Sequence, residues 1–317
     1  MSGSILDGID IDVTAAAEAA KSIHSPDLRP IAAVFARNVD ELLTLLSLPL
    51  ILLTVGASSG HSLVFFTQAL VRTKNVDKWH ESEEARAEVE AEARRLAEAA
   101  RDDPKFRPVD EAKAQLTYLI EHHDLEGPAR ALLYAACSSA WSSLECAAKD
   151  AWIAALNSRP FQLAQPALTK LPDEPAIDGL TGKQVSVGLL ARHGFDLRNS
   201  LGTLLSPKFD FTSVSGIRTA YEAAFGRSSE LNKLLSVPEL SHLEATRHLV
   251  VHRAGLVDEE YIRRTGDSVA IGAQLPLAGA RVSELANAAV TAGARLLQIV
   301  DTWLIQNPPR EPAPDAA

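Results

Sequence analysis

Residues 42–71 hold no Asp, Glu, Lys or Arg, and residues 42–55 are nearly all aliphatic. Such a run has few fates, since about 20 consecutive apolar residues cross a bilayer and shorter runs become core elements. Pro49 interrupts it and Ala57-Ser58-Ser59-Gly60-His61-Ser62 follows, leaving about 14 strongly apolar residues, short of a span. The expectation is a buried core element, with no membrane among the partners. Met1-Ser2-Gly3-Ser4 lacks the basic lead-in of a secretory leader, so the expected compartment is the cytoplasm.

The 317 residues are 46% hydrophobic and 23% charged, which suits one large domain or two modest ones and excludes disordered and collagen-like chains. With 31 Lys and Arg against 41 Asp and Glu, the formal charge of −10 excludes a basic coat for nucleic acid or anionic lipid. Any polyanion must be gripped locally. Cys137 and Cys146 fall on one expected helix, nine positions apart, which puts them on opposite sides. They cannot bridge, fit a reducing compartment, and read as packing residues.

Helix-favouring composition dominates. Helices are expected at 31–46, 81–103, 109–122, 129–157, 184–205, 214–225, 237–254, 259–264 and 278–306, with a short alternating strand at 268–272. The 129–157 segment has the apolar stripe Leu133, Cys137, Ala140, Trp141, Leu144, Ala148, Ala151, Trp152 and Ala155 and should be a core helix. Gly127-Pro128 suggests a boundary. The chain then divides into an N-terminal helical region of unassigned role (1–125), a helical domain (126–307) and a Pro-rich tail (308–317). A loop with Pro160, Pro166, Pro172 and Pro175 is long enough to line a site.

Gly56-Ala57-Ser58-Ser59-Gly60 matches the G-x-S-x-G nucleophile elbow, between a possible strand at 50–55 and a possible helix at 63–71. A Ser58 hydrolase is thus one reading, but the further strands and the later acid and His that it needs are not evident. The competing reading is a small-residue loop between two helices.

Residues 236–265 carry more chemistry. Ser236-Val237-Pro238-Glu239 reads as a capping box, Gly255 as the left-handed stop, and Asp258 as the cap of a second short helix. On a helical wheel Leu240, Leu243, Val250, Val251 and Ala254 span an arc of about 100°, and Arg247 falls inside it. A guanidinium there must meet a carboxylate, a phosphate or cleft water. His252 lies about 140° around the helix from Arg247, so the pair can border one groove. The last-turn position favours an imidazolium suited to proton transfer near neutral pH. His248, one turn earlier, can orient His252 or touch substrate.

The run Arg247-His248-Leu249-Val250-Val251-His252, within Leu243-Glu244-Ala245-Thr246 and Arg253-Ala254-Gly255-Leu256-Val257-Asp258, resembles the Arg/polar/His signature of the HEPN superfamily, especially its RiboL-PSP-like branch. Leu144-Glu145-Cys146-Ala147-Ala148-Lys149-Asp150 is similar to that branch's first core helix, and the resemblance covers roughly 128–306. It implies an all-α bundle of HEPN type with an added N-terminal helical region and at most a minor β-hairpin. It also implies a homodimer whose two Arg/His motifs line one cleft.

The activity implied is that of a metal-independent, cofactor-free endoribonuclease, with RNA and not DNA as substrate. By analogy its role is that of a toxin or antiviral effector, held by an antitoxin or regulatory protein. In that chemistry a ribose 2′-hydroxyl attacks the adjacent phosphorus, Arg247 neutralises phosphoryl charge, and His252 moves a proton. The products carry 2′,3′-cyclic phosphate and 5′-hydroxyl ends.

Plainer readings stand beside this one. Glu145 also falls on an apolar arc, so Arg247 and Glu145 can be a buried ion pair, or Glu145 can orient Arg247. His252 can be a simple helix cap. The domain can be a non-catalytic module that binds a nucleotide or a partner protein. His122-His123 with His248 and His252 do not complete a metal ligand set, and Arg263-Arg264 read as solvated charges.

Overall fold

The computed structural model describes residues 6, 8–80, 82–122, 125–169, 180–181, 184–185, 187–192, 194–197 and 199–309. Over these the chain is all-α apart from one minimal hairpin. In order come α1 (Thr14–Ser22), α2 (Arg29–Thr73), α3 (Glu83–Ala99), α4 (Pro108–His122), α5 (Glu126–Ser158) and α6 (Gln165–Thr169). The hairpin β1 (Leu180–Thr181) and β2 (Gln184–Val185) leads to α7 (Val187–Arg192), α8 (Leu201–Leu205), α9 (Val214–Phe225), α10 (Ser229–Leu234), α11 (Pro238–Arg253), α12 (Glu259–Thr265) and α13 (Gly279–Gln306).

The chain forms two units. One comprises Leu6–Leu43 and Arg130–Ala317, the other Met1–Ile5 and Thr44–Ala129. The larger unit is built on α5, whose Leu133, Trp141, Leu144, Trp152 and Leu156 are fully buried, together with Ile217 and Tyr221 of α9, Leu240 and Leu243 of α11, and Val282 and Leu296 of α13. Two of its buried aromatics have their polar tips satisfied: Trp152 Nε1 donates to Ala220 O at 2.9 Å and the Tyr221 hydroxyl to Ala148 O at 2.9 Å.

Residues 6–43, placed by sequence in an N-terminal region, belong to this larger unit. Hydrogen bonds fasten them to α13: the Asp10 amide donates to Ser283 Oγ at 2.7 Å, and Asp301 accepts the Ser25 amide at 2.7 Å and that of His24 at 3.1 Å. A Cβ on Gly293 of α13 would lie 2.5 Å from the Phe35 ring, so α2 begins in close contact with α13 there.

The smaller unit has a modest core of Phe65, Ala69, Val89 and Leu96, flanked by Phe66, Leu70, Trp79 and Phe106. Here one sequence expectation fails. Residues 42–71 are not a buried core element: only 17% of the apolar window of α2 is buried, against 56% for the comparable window of α13. Pro49 and the Gly56–Gly60 run do not break the helix. Ser59 Oγ donates to Val55 O at 2.9 Å and Ser62 Oγ to Ser58 O at 3.0 Å, so these hydroxyls are satisfied four residues back within α2. The strand at 50–55 and the loop after it are absent, and with them the strand-turn-helix context of a Ser58 elbow.

Three smaller differences follow from local chemistry. Residues 268–272 form a loop held by the bridge Leu256↔Gln274, not a strand. The helix expected over 184–205 divides into α7 and α8 around a left-handed Gly194-Phe195 pair. Gly127 and Pro128 lie inside the first turn of α5 and not in a linker, while the division between the two units falls just after them, between Ala129 and Arg130. The loop containing Pro172 and Pro175, His123, and the tail beyond residue 309 lie outside the described residues.

Candidate active site

The site residues sit on or beside α11. This helix starts at Pro238 with Val237 as N-cap and no side-chain cap; Ser236 instead accepts a hydrogen bond from Arg218 Nη2 at 3.1 Å, so the capping box expected there does not form. At the other end Ala254 (φ +52°) and Gly255 (φ +80°) are both left-handed, and the Gly255 amide donates to Leu249 O at 3.0 Å.

The segment 273–275 fixes the turn that carries His252. Gln274 Nε2 donates to Ala254 O and to the Tyr134 hydroxyl, both at 2.9 Å, while the Tyr134 hydroxyl donates to Leu275 O at 2.7 Å. The Leu275 amide returns to Gly255 O at 2.9 Å. Asp258 caps α12 through the Tyr261 amide at 2.9 Å, as the sequence pattern predicts.

The buried face of α11 is Leu240, Leu243, Ala245, Thr246 and Leu249. This differs from the arc read off the large aliphatics, because Ala245 and Thr246 turn inward while Val251 is 53% exposed. Arg247 therefore stands at the rim of the buried face, half-buried, and not in its middle. Among the described residues no carboxylate lies within 4.0 Å of its guanidinium and no group bonds to it.

His248 and His252 are exposed, with ring centroids 4.7 Å apart and planes tilted by 47°. Glu145 is half-buried and accepts from Trp141 Nε1 of its own helix at 3.2 Å, so it neither pairs with Arg247 nor holds it in place. The structure thus brings the two imidazoles together, leaves Arg247 without a partner among the described residues, about 140° around the helix from His252, and does not pair Glu145 with it.

Sequence reasoning missed the pairs that brace this helix. Glu244 Oε1 lies 2.5 Å from Arg264 Nη2 and its Oε2 accepts the Val214 amide at 2.8 Å, so Arg264 is not a solvated charge. His242 Nδ1 lies 2.7 Å from Arg281 Nη2 of α13. Arg263 pairs with Glu260 at the surface. The signal for the first was the Glu244/Arg264 spacing across a capped turn, which has meaning only once the turn is folded.

Among the described residues no group of three or more His, Cys, Asp or Glu could hold a metal ion. The cysteines part as the wheel requires: Cys137 is buried and Cys146, expected to pack, is exposed. Compared with family models, curated proteins and solved structures, the chain matches none.

Proposed function

We propose that the protein is a metal-independent endoribonuclease in which Arg247 binds the scissile phosphate and His252, with His248 beside it, transfers the proton. The observation that carries this reading is Arg247 itself: a half-buried guanidinium without a carboxylate partner among the described residues is available to a phosphate. An adjacent pair of open imidazoles supplies a proton carrier and a neighbour to orient it. The 2′-hydroxyl attacks phosphorus, the 5′-oxygen leaves with a proton, and a 2′,3′-cyclic phosphate results.

The angular separation of Arg247 and His252 favours a composite cleft in which two copies of the chain complement each other. This agrees with the homodimer implied by the HEPN resemblance. A toxin or antiviral role, restrained by a partner protein, extends the same analogy and is associational.

The test is cleavage of a mixed-sequence RNA in EDTA by the purified full chain, with end-group analysis. Arg247→Ala and His252→Ala should each lower cleavage at least about 100-fold while the circular dichroism spectrum is unchanged. Wild-type protein that leaves RNA intact, or variants that cleave as well as it does, would turn the assignment to a non-catalytic binding module.

A further inference from the structure

The exposed apolar length of α2 has no role in the proposed cleavage chemistry. Leu48, Ile51, Leu52, Val55 and Leu63 are all exposed, Leu52 at 62% and Val55 at 59%. On a wheel they lie within an arc of about 120°. Ala57 and His61 lie on the far side, where His61 Nε2 meets Glu111 Oε2 at 2.7 Å. Further along the same arc Phe66 and Leu70 pack with Phe65 on Val89 and Leu96, so the open stripe is confined to residues 48–63.

Three observations bear on what covers this face. A core helix of a water-soluble protein buries most of its apolar window, as α13 does, and α2 does not. A removable leader does not share a core with the mature protein, yet Leu28, Ala32, Phe35, Val39 and Leu42 are buried in the larger unit. A helix face that docks on another protein in water is ordinarily flanked by charged positions. Here residues 42–71 carry no charge on any side, and charge returns only at Arg72, Lys74 and Lys78, with Trp79 next to them and Asp77 the one acid between. Lys74 and Lys78 are exposed.

An uncharged apolar stripe ending in a basic cluster beside a Trp matches the two zones of a bilayer surface, hydrocarbon and anionic headgroup. We infer that α2 binds the surface of an anionic phospholipid bilayer, lying in its plane with Leu48, Ile51, Leu52, Val55 and Leu63 in the acyl region and Lys74 and Lys78 at the headgroups. A spanning arrangement is disfavoured because Glu111, which meets His61 inside the charge-free run, would enter hydrocarbon. In-plane binding through residues 48–63 keeps Glu111, opposite the stripe, on the water side. The net charge of −10 makes the contact local and led by apolar burial, not by long-range attraction.

The experiment is flotation of the full chain with vesicles of phosphatidylcholine containing about 30% phosphatidylglycerol, alongside light scattering of the lipid-free protein. Wild type should float with the vesicles. Leu52→Glu with Val55→Glu, at exposed positions that leave folding intact, should weaken partition by at least about tenfold, and Lys74→Glu with Lys78→Glu by a few-fold. Wild type that stays at the bottom of the gradient overturns the inference. So does a wild-type oligomer that the Leu52→Glu/Val55→Glu variant dissociates without any change in vesicle binding, because the face then belongs to a second copy of the chain.

Discussion

Arg264 Nη2 lies 2.5 Å from Glu244 Oε1, with side chains only 27% and 14% exposed, and the second Glu244 oxygen holds the first amide of α9. One carboxylate thereby ties α9, α11 and α12 together. Removing it leaves a shielded guanidinium and an orphaned helix-start amide, so Glu244→Ala should destabilise the larger unit by about 2–3 kcal/mol. Arg264→Ala should cost somewhat less, since the Val214 amide still serves Glu244. Urea denaturation of the single and double variants should give non-additive losses with a coupling of about 1 kcal/mol; simple additivity would show the pair to be energetically idle.

Arg247 offers the opposite expectation. With no carboxylate within 4.0 Å among the described residues, its truncation removes no ion pair. Arg247→Ala should change stability by less than about 1 kcal/mol even as it abolishes RNA cleavage. A loss of several kcal/mol would instead identify Arg247 as a structural residue.

The contrast between these two arginines shows how far the sequence could be read. Element types follow from apolar steps of three and four, and α5, α9, α11, α12 and α13 fall within a few residues of their expected limits. Pairwise matters do not: whether Arg247 or Arg264 finds a carboxylate depends on the path of the chain between α11 and α12, to which a wheel is blind. The wheel also misjudged the inward face of α11, because Ala245 and Thr246 are small enough to approach neighbours closely while Val251 turns outward. For residues 42–71 the absence of charge points to burial, yet an apolar helix can equally be left open to a partner.

The two thiols should behave differently. Cys137 is buried and burial pushes its thiol up to about 12, whereas Cys146 is exposed, its thiol raised first by partial desolvation and then by Asp150. Titration of native protein with an aromatic disulfide reagent at pH 8 should release one equivalent slowly, the second only in denaturant. Cys146→Ser should abolish the native reaction; persistence of that reaction would mean that α5 opens far enough to admit reagent.

Glu92 sets an acid limit for the smaller unit. Hydrogen bonds from Arg95 first, and also from Arg72, hold its carboxyl down at about 2 from the ordinary 4.5. A depressed carboxyl favours the folded state in full above its unfolded value and loses that contribution as pH falls from 4.5 towards 2. The midpoint difference between wild type and Glu92→Gln should therefore be present at pH 6 and shrink steadily below pH 4.5. A difference that stays constant down to pH 2 would remove Glu92 as its source.

Gly255 is a sensitive point beside the imidazoles. Its φ of +80° disfavours any side chain, and a Cβ there would lie 2.4 Å from Tyr134 Cε2 and 2.6 Å from Gln274 Nε2. Those two side chains hold the end of α11 through the Ala254 carbonyl, so Gly255→Ala strains the backbone and disrupts the brace of the His252 turn together. The expected loss is about 2–4 kcal/mol, from the left-handed conformation and the forced ring displacement combined. Gln274→Ala removes the brace without the strain and should cost about 1 kcal/mol. If His252 depends on this turn for its position, Gln274→Ala should lower kcat for RNA cleavage while leaving KM nearly unchanged; equal effects on stability and none on kcat would confine Gln274 to a structural role.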